Sequence, residues 1–340
     1  MRVALLTSRV NDAPAPESTQ EGASSMSESA RSAVAEFPKL HLGTAPDSWG
    51  VWNPSGDPLQ TPWSRYLDEV VEAGYQYSEL GPFGYLPKDA AIVRDEYAKR
   101  GLTLTGGTVF VGLHKGAAAL EKAKADCDAE MAVIGPNGAR HLIIIPEGYT
   151  DSDGNLTASP TLSNDEWDCL TRGMSELGRY LAEEHGAVLD FHTHADTHVG
   201  AQDEIERFLD GTDPDSVQLC LDTGHVAYCG ADNLKLIRDY PDRIQYVHLK
   251  QVDPAIRARV REEKLGFAPA VRLGAMVEPP RGEPDMPSLL AALGALDRDL
   301  FCVVEQDMYP CDHARPLPIA IRTEQYFKAC GLTSGRQLPS

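Results

Sequence analysis

The chain has 340 residues, 42% of them apolar, and a formal net charge of −20 with an isoelectric point near 4.8. That length suits one large domain or two ordinary ones. The acidic balance argues against a nucleic-acid partner, because that binding relies on Lys and Arg neutralising phosphates, and it offers an acidic membrane surface nothing to attract.

At the N-terminus the only apolar stretch is Val3–Thr7, shorter than the roughly 7–15 residues of a secretory core. Residues 11–30 are rich in Ser, Ala, Pro and Glu, so residues 1–38 are expected to be a disordered extension, with Met26 the expected true start. No apolar run reaches the ~18–20 residues needed to span a bilayer. The seven cysteines (Cys127, Cys169, Cys220, Cys229, Cys302, Cys311, Cys330) are odd in number and form no CxxC pair. Reduced thiols in a cytoplasmic protein are the expectation.

From residue 39 onward, apolar β-type runs alternate with amphipathic helical segments, the signature of βαβ units and a parallel sheet. Strands are predicted at 39–45, 75–80, 102–109, 140–147, 187–192, 217–222, 244–250 and 300–306. In the first helical stretch Trp63, Tyr66, Leu67, Val70 and Val71 share one face and Gly74 ends it. Gly101 ends the next, while Ser163 with Glu166 forms a capping-box pattern for a helix that closes on Gly186. Eight such units predict a single (β/α)8 TIM barrel over 39–332, with a C-terminal tail at 333–340. An open doubly wound sheet is disfavoured because no GxGxxG turn follows the first strand. The proline-rich segment 251–287 follows the seventh strand and is expected to form a lid-like insertion over the catalytic end.

In such barrels chemistry gathers at the C-terminal ends of the strands. Those ends carry Glu79, Glu147, His192 and His194, Asp222 and His225, His248 and Lys250, and Glu305. One imidazole or carboxylate at a strand end is unremarkable. Four successive strands ending this way would leave buried charges repelling or unpaired unless a cation joined them. Mixed nitrogen and oxygen donors suit a divalent ion such as Mn²⁺, Co²⁺, Zn²⁺ or Fe²⁺.

The segments "GTAPDSWGVW", "LDTGH", "YVHLK" and "VVEQDMYP" resemble the xylose isomerase-like TIM barrels, the sugar isomerase/epimerase superfamily. "TAPDSWG" and the "HTH" of the fifth strand are most similar to the inosose dehydratase branch. The resemblance covers about 40–332. It implies one divalent metal held by a residue from each of the last four strands, which here are His192, Asp222, His248 and Glu305, with Mn²⁺ or Co²⁺ first and Zn²⁺, Fe²⁺ or Mg²⁺ as alternatives. The first of these is a departure, since the epimerases place a glutamate there. Gln251 is a second departure, standing where many relatives have aspartate.

Epimerisation needs an acid and a base on opposite faces of the substrate, and His192 breaks that carboxylate symmetry. Elimination needs one base for the proton α to a ketone, with metal chelation stabilising the enolate. The reading is therefore a metal-dependent dehydratase of a keto-cyclitol or keto-sugar, resembling 2-keto-myo-inositol dehydratase. Alternatives are a ketose 3-epimerase or aldose–ketose isomerase, a 3-keto-glycoside lyase, and a non-catalytic sugar- or metal-binding barrel. Glu305 or His194 is expected to take the proton. Lys250, His225 and Glu147 are expected to orient hydroxyls or assist their departure. Glu79 either contacts substrate or pairs at the rim, and Trp49 and Trp52 either stack on a sugar ring or pack in the core. The absence of a glycine-rich phosphate cradle after the eighth strand favours an uncharged substrate, although Arg257, Arg259 and Arg261 in the lid could bind an anion. A homodimer or homotetramer is expected, as for many closed barrels.

Overall fold

The computed structural model describes residues 36–333, so the expectations for residues 1–35, for Met26 and for 334–340 lie outside the described residues. Order is already present at Phe37, which donates its backbone N–H to the Gly331 carbonyl (3.1 Å) and packs against the core.

The strands are β1 (Leu40–Thr44), β2 (Tyr77–Ser78), β3 (Thr103–Leu104), β4 (Gly106–Val111), β5 (His141–Pro146), β6 (Val188–His192), β7 (Val217–Asp222), β8 (Ile244–Leu249), β9 (Gln251–Val252), β10 (Met276–Val277) and β11 (Leu300–Val304). All but β9 and β10 join one parallel sheet in the order β3-β2-β1-β11-β8-β7-β6-β5-β4. β3 pairs with β2 and β4 with β5, and only Thr105 separates β3 from β4. The two are one stave, broken at Thr105. The Thr105 N–H to Ser78 carbonyl and Leu80 N–H to Gly106 carbonyl bonds (both 3.0 Å) carry the pairing across the break. Eight staves thus close a TIM barrel, as the alternating pattern predicted.

Period-two alternation sorts the strand residues into two layers. Ile143, Ile145, Cys220, Tyr246 and Val303 point inward and form the barrel's own core. Leu42, Leu142, Ile144, Leu189, Phe191, Leu219, Leu221, Val247 and Leu249 point outward and pack in a second apolar layer with the helix-borne Leu67, Val70, Leu177 and Phe208. Each fully buried aliphatic or phenyl side chain contributes about 1.5–3 kcal/mol. The predicted helix ends hold. Gly74 and Gly101 close their helices in left-handed conformation (φ 100° and 62°), and Ser163 and Glu166 make the full capping box ahead of the helix Asn164–His185. Cys220 and Cys302 are buried within their strands as free thiols. Among the described residues no helix is long and apolar enough to cross a membrane.

The segment after β8 has structure of its own. β9 and β10 pair antiparallel, and between them lie helices Pro254–Glu263 and Phe267–Arg272. Gln251 ties its base, donating to the Gly282 and Pro284 carbonyls (2.9 and 2.7 Å) and accepting from the Gly282 N–H (3.2 Å). An aspartate there could accept but not donate, which gives this chain's glutamine a local structural reason.

One buried charge works against the fold. Glu130, in the helix Ala117–Ile134, is 0% exposed and lies against Gly107 of β4, where a Cβ would come within 2.1 Å of Glu130 Oε1. Only glycine fits there. Neither carboxyl oxygen makes a well-formed hydrogen bond, and burial, opposed in part by the Thr108 backbone amide, pushes the carboxyl up to about 8. Between the ordinary value of 4.5 and about 8 the unfolded chain ionises while the folded chain keeps its proton, so stability falls as pH rises. Glu130→Gln is therefore expected to match the wild type near pH 4.5 and to exceed it by roughly 2–5 kcal/mol at pH 8. Denaturant unfolding across that range measures the gap, and a constant gap would contradict this account.

Candidate active site

Strand register sets the site. Asp222 and His248 are direct partners across β7 and β8, and His192 lies opposite Cys220 across β6 and β7. Inward parity then carries from Tyr246 to His248 and Lys250, and from Val303 to Glu305. The result is a cluster in which His192, Asp222, His248 and Glu305 each offer one ligand atom within 4.8 Å of the others. His192 Nε2 is 3.3 Å from Asp222 Oδ2, and His248 Nδ1 is 3.7 Å from the same oxygen and 3.1 Å from Glu305 Oε2.

Two of the four donors, Asp222 and His248, are oriented from behind. Asp222 splits its carboxylate, Oδ1 capping the helix Thr223–Cys229 through the His225 N–H (2.7 Å) and Oδ2 facing the cluster. His248 Nε2 is held by Glu79 Oε1 (2.8 Å), which leaves Nδ1 facing the cluster. A carboxylate behind a ligating histidine is the arrangement that fixes tautomer and ring plane. Asp222 Oδ2 and His248 Nδ1 are buried and make no well-formed hydrogen bond, only close ion-pair contacts within the cluster. Buried atoms left this way, in a set of two imidazoles and two carboxylates, fit a divalent cation.

Beside the cluster stands Lys250, 2% exposed. Its Nζ is 2.9 Å from Glu305 Oε2, 2.9 Å from Asp307 Oδ2, 3.1 Å from Asp222 Oδ2 and 3.9 Å from Asp47 Oδ2. Burial alone would lower the ammonium's pKa, but Asp222, Asp307, Glu305 and Asp47 outweigh it and hold Lys250 well above the ordinary lysine range. The same charges act in reverse on the acids. Burial favours protonation of Glu305, yet His248 and Lys250 pull it below the usual carboxylate range. Asp222 is likewise depressed against burial by Lys250. Asp47 goes the other way, raised well above its ordinary value by burial and then by Glu305. The glycine of "LDTGH" serves the lysine: a Cβ on Gly224 would meet Lys250 Cγ at 2.4 Å.

These groups floor a cavity of about 370 Å³. Trp52 and Phe267 form part of its wall, and Trp52 Nε1 donates to Asp307 Oδ1 (3.0 Å). His194 and His225 also line it, with ring centroids 3.9 Å apart. Burial, reinforced by His192, lowers His194 to about 4, and burial with His194 holds His225 well below the ordinary value. Both rings are neutral at pH 7.

The structure thus brings His192, His194, Asp222, His225, His248, Lys250, Glu305 and Glu79 together, with Glu79 acting on His248. It corrects two expectations. Trp49 is 0% exposed and is not on the cavity wall; its Nε1 donates to Glu69 Oε2 (2.8 Å) and its ring meets Tyr66 edge-on. Glu147 pairs with Lys115 instead of lining the cavity. The lid arginines do not line it either. Arg257 binds the Ala227 carbonyl and pairs with Glu283, Arg259 pairs with Glu263, and Arg261 donates to the Tyr228 carbonyl. Sequence reasoning missed Asp47 and Asp307. Asp307 had a signal, since it continues the inward parity of Glu305.

A profile of the xylose isomerase-like TIM barrel family matches residues 67–326. The chain belongs to that family. An inosose dehydratase from Geobacillus thermodenitrificans (strain NG80-2) is 30% identical over 303 residues, covering 86% of this chain and 98% of that protein. Among solved structures, the probable 3-DHS dehydratase AsbF involved in petrobactin synthesis from Bacillus anthracis aligns with a TM-score of 0.64 at 16% identity, covering 85% of this chain and 99% of that one. The IOLI protein, solved with a binding zinc atom, aligns with a TM-score of 0.63 at 15% identity over 86% and 98% of the two chains.

The placement of Trp49 has a stability consequence. Trp49→Phe deletes a buried donor and leaves Glu69 Oε2 without it, so a loss of about 1–3 kcal/mol is expected in urea unfolding. An unchanged midpoint would contradict the core assignment.

Proposed function

We propose that this family member is a metal-dependent dehydratase, a lyase acting on a neutral keto-cyclitol of the 2-keto-myo-inositol kind. One observation carries the substrate class. Among the described residues the cavity wall includes Asp47, Glu79, Asp151, Asp196, Glu305 and Asp307 but no arginine, and its one lysine, Lys250, already faces four carboxylates. Among the described residues a phosphate or carboxylate substrate would find no unpaired side-chain cation there, whereas hydroxyls find many acceptors. Relatives named inosose dehydratase over nearly their full length support the same reading.

His192, Asp222, His248 and Glu305 would hold the ion, and their mixed donor set suits Mn²⁺ or Co²⁺. When bound, the metal supplies Lewis acidity toward the substrate's ketone oxygen. His194 is the better base of the two expected, because Glu305 is engaged by His248 and Lys250 while His194 Nε2 is open. It takes the α-proton, and the electron pair left on carbon forms the C=C bond as the neighbouring C–O bond breaks. Lys250 Nζ–H, buried among its carboxylates, gives the departing hydroxyl the proton that makes it water. Trp52, fixed through its Nε1 bond to Asp307 and stacked with Tyr309 and Phe267, supplies part of the apolar wall against which the ring would lie.

Incubation with 2-keto-myo-inositol and Mn²⁺ is expected to give a product lighter by one water with enone absorbance. A ketose of unchanged mass would instead identify an epimerase or isomerase, and a bound metal without exchange of the α-proton would identify a binding protein. Glu305→Gln is expected to lose metal and activity together, read by elemental analysis and turnover. Glu79→Gln should weaken metal affinity by about 10–100-fold through His248; full affinity in both variants would contradict the assigned ligands.

A further inference from the structure

Ala195 lies between two imidazoles of the cavity wall. Its backbone N–H donates to His225 Nδ1 (3.1 Å), and its carbonyl oxygen accepts from His194 Nδ1 (2.7 Å). A peptide N–H cannot accept and a carbonyl cannot donate, so the two contacts admit one chemical reading. His194 carries a proton on Nδ1, so that Nε2 is the acceptor of its neutral ring; His225 has a bare Nδ1 and carries its proton on Nε2.

The turn that presents this peptide is held firmly. Asp196 adopts the left-handed region (φ 56°), which is strained for a residue with a side chain. Its Oδ2 accepts from Thr150 Oγ1 and from the Phe267 N–H (both 2.7 Å), and its carbonyl accepts from the Tyr149 N–H (2.8 Å). Thr197 Oγ1 adds a bond to the His194 carbonyl (2.7 Å). The loop after β5 and the segment after β8 therefore both grip the residue next to Ala195.

The donor end has an unfilled place beside it. His225 Nε2 is buried with no hydrogen-bond partner and lies 3.8 Å from Asp307 Oδ2, too far for a direct bond. An oxygen set off the line joining them reaches both. It must accept from His225 and donate to Asp307. A hydroxyl does both, whereas a ketone or a methyl ether lacks the proton for Asp307.

We propose that the Ala195 peptide locks the closely packed His194 and His225 in opposite tautomers, making His194 Nε2 a fixed acceptor and His225 Nε2–H, with Asp307, a seat for one substrate hydroxyl. His225 and Asp307 are specificity-determining residues, and Ala195 and Asp196 are positioning residues. The ligand class, a neutral polyol, rests on the function proposed above; the tautomers do not.

Two readouts test it. In metal-free protein labelled with ¹⁵N in its imidazoles, with His194→Gln and His225→Gln used for assignment, long-range ¹⁵N–¹H correlations are expected to place the proton on Nδ1 of His194 and Nε2 of His225. The reverse at either ring overturns the lock. In steady-state kinetics on the keto-cyclitol, His225→Leu is expected to raise KM at least tenfold with a smaller change in kcat. His225→Gln, whose amide N–H can replace the ring donor, should recover most of that loss. An unchanged KM in His225→Leu overturns the hydroxyl seat. Tautomers as assigned in a protein inactive on every keto-cyclitol sustain the lock and overturn the proposed function alone.

Discussion

Asp47, Asp222, Glu305 and Asp307 converge on the single ammonium of Lys250 inside a protein cavity. Buried charge is tolerated only when it is paired, and one lysine cannot offset four carboxylates. The surplus is handled in two ways. Asp47 is pushed toward its protonated form by burial and by Glu305, while Asp222 and Glu305 stay ionised with an oxygen each turned toward His192 and His248. That leaves a negative, hydrogen-bond-poor pocket of two carboxylates and two imidazoles. A divalent cation is the natural complement of such a pocket, and the position of every neighbouring group follows from having to hold both charges apart at close range.

The supporting residues make sense in that light. Gly224 gives up its side chain so that the Lys250 stem can lie against the helix that Asp222 caps. Glu79 reaches from beyond β2 to hold the far side of His248, so one stave orients a ligand carried by another. Asp307 joins the electrostatic centre to the aromatic wall, since its two oxygens bond Trp52 and Lys250 separately.

Much of this was legible in the chain. Parallel strands buried on both faces are continuous apolar runs, which is why seven of the eight staves appear within a few residues of their predicted bounds. The second shrinks to Tyr77–Ser78 and the third breaks at Thr105, because irregular pairing leaves no mark on hydrophobicity. His192, Asp222, His248 and Glu305 were readable because inward parity runs straight to the strand ends. Trp49 and Glu147 were misplaced where that parity stops applying. The 3₁₀ turn Pro46–Trp49 swings the indole out against the helix Trp63–Ala73, and Glu147, one residue past β5, is drawn away by Lys115. Asp47 lies beyond the last paired residue of its strand, where sequence alone does not say which way a side chain turns, whereas Asp307 keeps the inward parity of Glu305 and was passed over. The Ala195 peptide could not be read at all, since backbone donors and acceptors have no letter in the sequence.

The central claim is that side chains from four separate strands close around one ion. Crystals grown with Mn²⁺ and measured at the manganese absorption edge test it most directly. The account predicts one strong anomalous peak, bonded at about 2.0–2.3 Å to an atom of each of His192, Asp222, His248 and Glu305. A saturated crystal with no peak between those four residues, or with its ion held elsewhere in the barrel, would contradict it.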